Sequence, residues 1–319
     1  MPGTDVIITP EQAGLTLAAL LRLLLPGQSW NDVRRVVAGR RVKIGGDLCF
    51  DAARRLKEGE VVELLPRPAP KPRAPQSAVL RHLDNEVVVV EKPSGVATVR
   101  HPSERAWPRQ RKALHPTLED IVPGLIAARE GRTRKGTLRR LRIVHRLDKG
   151  TSGLVVFART PVAERELGRQ FKQHTVVRRY LAVVPGVVEA QRIASSLVRD
   201  RRDGRRGSTT LPGVGKAAVT HVEVVERLNG YTLLACRLET GRTHQIRIHL
   251  SELGHPVCGE TVYNRPPGGE PVPDRSGAPR LALHATELGF RHPTTGEELR
   301  WTLPLPADLE AFVKRLRQE

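Results

Sequence analysis

The stretch "RIVHRLDKGTSGLVVFART", Arg142 to Thr160, sets one carboxylate, Asp148, among two cations and a histidine on a turn rich in Gly, Ser and Thr. An apolar, β-prone run, Leu154 to Ala158, follows at once. Thr160 then reads as a helix cap with Pro161 at the first helical position, and Ala163, Leu167 and Phe171 fall at i, i+4 and i+8. Turn, strand and helix thus succeed one another directly, with the carboxylate on the turn.

Outward from this block the strands multiply. "EVVVVEKPSG" (Glu86 to Gly95) is a β-rich run ending in a Pro-Ser-Gly turn. "RRYLAVVPG" (Arg178 to Gly186), "KAAVTHVEVVER" (Lys216 to Arg227) and "YTLLACRLET" (Tyr231 to Thr240) read as further strands, and "RLALHATELGF" (Arg280 to Phe290) as a late strand pair. Thr243 to Leu253 reads as a helix with Ile246, Leu250 and Leu253 on one face, stopped by Gly254. Strands outnumber helices and mostly follow each other directly. The expected class is therefore α+β, with a large domain built on a mixed, mainly antiparallel sheet.

At 319 residues the chain has room for two domains. The proline-rich stretch 66–77 lies within "PRPAPKPRAPQS", a semi-rigid extended tether, because proline fixes φ and cannot feed a ladder hydrogen bond. It separates a small unit, 1–65, from a large one, 78–319. In the small unit "TLAALLRLLLPG" reads as an amphipathic helix stopped by Pro26-Gly27, and Ser29 caps a second helix with Asp32 in the capping position. Gly45-Gly46 supplies a hairpin turn, and "LKEGEVVELL" a turn and a strand.

The 53 Lys+Arg exceed the 34 Asp+Glu by 19, an excess that suits a polyanionic partner, with solubility as the bland alternative. Aromatics at 3% argue against broad stacking platforms for single strands. In the small unit Arg34, Arg35, Arg40, Arg41 and Lys43 cluster with no acid between Val33 and Gly46, a candidate phosphate-binding face or an ordinary solvated one. Arg100 to Arg142, net +8 from twelve Lys+Arg and four Asp+Glu, and Arg199 to Gly207, with five arginines, read as basic surface loops. Cys49, Cys236 and Cys258 form no C-x-x-C pair, which argues against structural zinc or a disulfide framework and fits a reducing cytosol. "MPGTDVIITPEQ" does not read as a signal peptide, and "LTLAALLRLLL" is too short to span a bilayer. A cytoplasmic protein with no membrane contact is the expectation.

For chemistry, "GVGK" at Gly213 lacks the upstream glycine of a phosphate loop, and "GHPVC" offers no second ligand pair for a metal. What remains is Asp148 with "TGRTHQIRIHL", where Arg242, His244, Arg247 and His249 interleave with apolar positions at a helix start. An arginine beside a carboxylate favours its ionised form, which a nucleophile or base needs. From spacing alone, a structural Asp–Arg pair stands as the alternative.

"HRLDKGTSGLVVFART" closely resembles the signature of the RluA-type RNA pseudouridine synthases. Matches continue in family order through "EKPSG", "RRYLAVVPG", "KAAVTHVEV", "LETGRTHQIRIHL", "LGHPVCGETVY" and "LALHATELGFRHP", spanning nearly all of Val87 to Pro304. The small unit, over Leu15 to Leu65, resembles the S-four-type RNA-binding domain, with Gly14, Leu15 and Thr16 where Arg-Leu-Asp is usual. The resemblance implies isomerisation of uridine in structured RNA, ribosomal RNA of the large subunit first and transfer RNA second, by a monomer needing neither cofactor nor metal. Asp148 matches the essential aspartate, Tyr180 the tyrosine packed against the target base, Arg247 the arginine paired with the carboxylate, and Arg146 the residue filling the gap left by the flipped uridine. His145 and Thr151 are expected to shape the loop. Glu260 stands where the family usually has aspartate and Arg178 where it has lysine, each keeping the charge sign. The rival from another class is a non-catalytic RNA-binding or ribosome-assembly factor of the same fold.

Overall fold

The structure, a computed structural model, describes residues 4–45, 47–68, 78–107, 109–131, 140–201, 204–264 and 272–318. Gly46, most of the tether (69–77), and 132–139 and 202–203 of the two basic segments lie outside the described residues. The chain divides into two compact units, Met1–Ala74 and Pro75–Glu319.

The first unit holds β1 (Thr4–Ile7), α1 (Leu17–Leu24), α2 (Trp30–Ala38), β2 (Val42–Ile44), β3 (Asp47–Leu48) and β4 (Val61–Leu64), its strands forming an antiparallel sheet in the order β1-β4-β2-β3. Thr16 caps α1 by accepting from the Ala19 amide at 3.2 Å. Ser29 and Asp32 close a reciprocal capping box on α2, the backbone of each donating to the side chain of the other. Leu17, Leu20 and Leu21 of α1 and Val33 and Val37 of α2 are buried with Val42 and Val62 of the sheet.

The second unit runs β5 (Val79–Leu83), β6 (Val87–Lys92), α3 (Arg109–Leu114), α4 (Leu118–Arg129), β7 (Arg142–Ile143), β8 (Ser152–Ala158), α5 (Pro161–Lys172), β9 (Val177–Pro185), β10 (Gln191–Val198), β11 (Gly207–Thr209), β12 (Lys216–Leu228), β13 (Tyr231–Leu238), α6 (Gln245–Glu252), β14 (Leu283–Arg291), β15 (Glu298–Thr302) and α7 (Ala307–Gln318). One large sheet orders these as β11-β10-β12-β13-β9-β14-β8-β6-β5, with β15 on β14 and β7 on β8. Every pairing is antiparallel except β14 with β8. Helices cover both faces, which is why β6 and β8 read as unbroken apolar runs. Val88, Val90, Val155 and Phe157 face a core completed by α4 and α7, while Val87, Val89, Leu154 and Val156 face α5 through Ala163 and Leu167.

Several sequence expectations are corrected. The segment from Arg100 to Arg142 is not all surface loop: a Thr117–Asp120 capping box starts α4, which buries Leu118, Val122 and Ile126. Arg100 itself is buried, ion-paired through Nη2 to Asp120 at 2.5 Å. "RLALHATELGF" supplies one strand, β14, whose hairpin partner is the later β15. The helix expected from Thr243 begins at Gln245, because His244 adopts a left-handed conformation (φ 60°) and Gln245 caps the turn by accepting from the Arg242 amide at 2.9 Å. Leu253 is the exposed C-cap and not part of the buried face.

Among the described residues the one parallel contact lies five residues beyond Asp148. Gly153 pairs with Ala285 at φ 118°, and a Cβ there would overlap the Ala285 backbone. Gly153→Ala is expected to lower stability by about 3 kcal/mol in denaturant unfolding. Gly230→Ala, also at positive φ but with open space around it, is expected to cost about 1 kcal/mol. Equal losses would mean that the β8–β14 seam is not the cause.

Candidate active site

The Asp148 turn is bracketed by the "EKPSG" segment. Thr98 grips Leu147 from both sides, its hydroxyl donating to the Leu147 carbonyl at 2.8 Å and accepting from the Leu147 amide at 3.1 Å. Ser94 Oγ donates to the Gly150 carbonyl at 2.7 Å and the Gly95 amide to the Lys149 carbonyl at 2.8 Å. Beneath them Lys92 is fully buried, its Nζ donating to the carbonyls of Pro93, Val96 and Lys149 at 2.9, 2.7 and 3.2 Å. Three acceptors match the three N–H bonds of an ammonium. Burial pulls Lys92 down to about 7, opposed by the nearby charge of Asp148. On the other flank His145 Nε2 accepts from the Val156 amide at 3.0 Å and its ring stacks on Phe171 at 4.6 Å. Burial holds His145 down to about 3, so the imidazole is neutral and serves the loop.

Asp148 opens onto a cavity of about 430 Å³ whose wall includes Arg146, Arg178, Tyr180, His244 and Arg247. Arg247, on α6, brings Nη1 to 3.4 Å from Asp148 Oδ2. Its other edge is committed: Nε and Nη2 each donate to the Glu260 carboxylate at 2.6 Å. Glu260 is buried and also accepts from the amides of Val262 and Tyr263. Burial works against both charges, but their mutual hydrogen bonds outweigh it, raising Arg247 and lowering Glu260 from their ordinary values. His244 faces the second Asp148 oxygen, Nε2 to Oδ1 at 3.6 Å, while its Nδ1 meets the Tyr263 hydroxyl at 2.7 Å. Burial lowers His244 against the pull of Asp148. Tyr180, from β9, is buried; burial raises its hydroxyl, Arg178 opposes this and Asp148 adds to it.

Asp148, Arg146, Tyr180 and Arg247 thus meet at one cavity, although they come from a loop, a strand and a helix far apart in the chain. His249 does not join them: its ring lies between Ser195 Oγ (3.0 Å) and Thr220 Oγ1 (2.9 Å) in the core, and burial lowers it to about 4. In the first unit, Arg34 is exposed on α2. Arg35 pairs with Asp32 at 2.5 Å, Lys43 with Glu63 at 3.4 Å, and Arg41 Nε donates to the Leu65 carbonyl at 3.1 Å. Arg40 sits at the turn after α2 with φ 57°. Sequence reasoning passed over Lys92, Thr98 and the His244–Tyr263 pair. Lys92 could have been noticed as the cation closing a strand that opens with four valines. The others carry no local signal.

The site thus brings a carboxylate, an arginine clamp and further cations to one cavity, an arrangement suited to a reaction on an anionic polymer. Residues 86–252 match the RNA pseudouridylate synthase family. A ribosomal large subunit pseudouridine synthase D of Zymomonas mobilis is 34% identical, covering 99% of this chain and 98% of its own. An uncharacterized RNA pseudouridine synthase of Bacillus subtilis is 36% identical, covering 100% and 99%. Among solved structures, human RNA pseudouridylate synthase domain containing 1 matches with a TM-score of 0.54 and 26% identity over 78% of this chain and 98% of that one. The chain belongs to the RNA pseudouridylate synthase family, whose reaction isomerises uridine in RNA to pseudouridine. Among the described residues no helix is long and apolar enough to cross a membrane.

Glu260→Gln removes the counter-charge that fixes Arg247. The expected outcome is a loss of about 3 kcal/mol in denaturant unfolding, since a buried guanidinium is left under-compensated. Single-turnover isomerisation should slow about tenfold or more, as the Arg247 edge facing Asp148 is no longer held.

Proposed function

We propose that this chain isomerises specific uridines of large-subunit ribosomal RNA, acting as a cytoplasmic monomer with Asp148 as the group that starts the reaction. The observation that carries the reading is the Asp148 carboxylate, held from one side by Arg247 Nη1 and opening on a cavity walled by Tyr180. As nucleophile on the anomeric carbon, Asp148 would form an ester-like intermediate as the base departs; attack on the uracil ring is the other route. In either, the base turns, C5 bonds to C1′ and loses its proton, and N1 gains one. Tyr180 would pack against the base, and Arg247 would hold the carboxylate. Arg146, exposed two residues before Asp148, would fill the stack vacated by the flipped nucleotide, recovering part of a cost of a few kcal/mol. Relatives named for the large ribosomal subunit, matched nearly end to end, support the choice of RNA.

The first unit would act as an S-four-type anchor, with Arg34, Arg35, Arg40, Arg41 and Lys43 on phosphates. Its two capped helices, followed by the β2–β3 hairpin and β4, support this. Residues 66–77 would tether it to the catalytic unit, 78–319.

Asp148→Asn is expected to abolish conversion while changing RNA affinity by less than about threefold, because phosphate contacts dominate binding. Pseudouridine mapping by primer-extension stops, on deproteinised ribosomal and transfer RNA, checks the first part and filter binding the second. Unchanged maps with the wild-type protein would favour a binding-only role, and stops confined to transfer RNA would move the substrate. Deleting residues 1–65 should weaken RNA binding and blur site choice yet leave turnover on short uridine-containing RNA intact. Undiminished efficiency at the same uridine would remove the anchor from the scheme.

A further inference from the structure

Arg178 and Tyr180 lie two apart on β9 and so face the same side of the sheet, roughly 7 Å apart along the strand. Both line the cavity that holds Asp148. The Tyr180 hydroxyl feels Arg178 and Asp148 with opposite effect, so the tyrosine is within reach of both charges. Arg178 is only 7% exposed, yet among the described residues no carboxylate lies within ion-pair distance of it. Its Nη2 donates to the Glu239 carbonyl at 3.1 Å, and its buried Nε has no partner among the described residues. Arg100 and Arg247, the other buried arginines among the described residues, are both held by carboxylates. Burial without such compensation pulls Arg178 below its ordinary value. Room for the guanidinium is made by Gly241, where a Cβ would stand 2.5 Å from Arg178 Nη1 although the backbone there needs no positive φ. A buried cation lacking a counter-ion is expensive to keep and is matched when a bound group supplies the missing charge.

We propose that Arg178 is a further catalytic residue, which binds the carbonyl edge of the target uracil and stabilises the negative charge the base carries when the C1′–N1 bond breaks. This rests on the roles given above to Asp148 and Tyr180. Whichever bond forms first, the electron pair of C1′–N1 leaves with the base and spreads onto O2 and O4. A base packed on Tyr180 with its sugar carbon at Asp148 directs that edge along β9 to Arg178. The guanidinium donates hydrogen bonds, forms no covalent bond and gives up no proton. When C5 joins C1′ the ring's electron pair enters the new bond and the negative charge returns to the released Asp148 carboxylate, and the proton lost from C5 is balanced by the one gained at N1. A fixed donor aimed at charge that develops only during reaction contributes to rate and not to ground-state binding.

The test uses the full chain and single-turnover kinetics on ribosomal RNA carrying uridine or 5-fluorouridine, with RNA affinity measured against salt. Fluorine stabilises the departing base by itself, and its reaction is read as loss of intact 5-fluorouridine from digests. Arg178→Met should slow uridine conversion about 100-fold with RNA Kd and its salt slope unchanged, and Arg178→Lys should recover about tenfold of that. Gly241→Ala, which pushes the guanidinium aside, should slow conversion as well. With 5-fluorouridine the Met penalty should shrink about tenfold. Equal penalties on the two nucleosides would reduce Arg178 to a structural cation. Weaker binding with a salt slope reduced by about one, at unchanged rate, would make it a phosphate contact. If Arg178→Met does not fold, the Lys and Gly241→Ala variants decide by the same comparison. An active Asp148→Asn would overturn the underlying reading, whereas an inactive one beside a fully active Arg178→Met would overturn this proposal alone.

Discussion

The buried pairing of Arg247 with Glu260 is the contact on which the site depends. A guanidinium has two usable edges, and Glu260 occupies one of them with two hydrogen bonds at 2.6 Å, leaving the other directed at Asp148. Without that anchor the arginine would be a long, flexible cation free to close on the carboxylate or to swing to solvent. With it, the arginine approaches Asp148 to 3.4 Å and stops, a distance at which charge is felt but the oxygen is not consumed by a tight bidentate pair. Glu260 in turn is fixed by two backbone amides, so the orientation of the clamp is inherited from the main chain after β13 and α6.

The aspartate side of the pair is fixed with equal care by different means. Here the backbone of the turn is what is held, its carbonyls accepting from the side chains of Thr98, Ser94 and Lys92 and leaving the carboxylate itself to the cavity. Side chains hold the arginine; a second loop holds the aspartate. Such outer supports are the usual source of preorganisation, because a reacting group misplaced by about 1 Å forfeits much of its rate. His244 adds a third direction, its left-handed backbone turning the ring between Tyr263 and Asp148 at the mouth of α6.

Much of this could be read from the chain. The α+β class, the mainly antiparallel sheet and the capped helix after Thr160 followed from periodicity and turn chemistry, and the meeting of Asp148 with Arg247 from the family resemblance. What escaped was non-local. α4 hid in a basic segment because Arg100, Arg111 and Lys112 outweighed the sparse pattern of Leu118, Val122 and Ile126. The start of α6 was misjudged because a left-handed histidine has no sequence signature, unlike glycine. His249 stood in sequence with Arg242, His244 and Arg247 at a helix start, but a helix has two sides, and this residue points into hydroxyls of β10 and β12. In the first unit, a stretch free of acids along the sequence acquired Asp32 and Glu63 as neighbours in space.

The parallel seam between β8 and β14 has a consequence for biosynthesis. A strand that carries the Asp148 turn on its leading end obtains one of its neighbours only from residues Leu283–Arg291, more than a hundred positions later. Translation is vectorial, and the first unit emerges able to complete its own sheet long before that neighbour exists. A half-made chain on the ribosome therefore has a finished small unit and a catalytic sheet still missing one of its inner strands, and isomerase competence arrives as a late event in the life of the polypeptide.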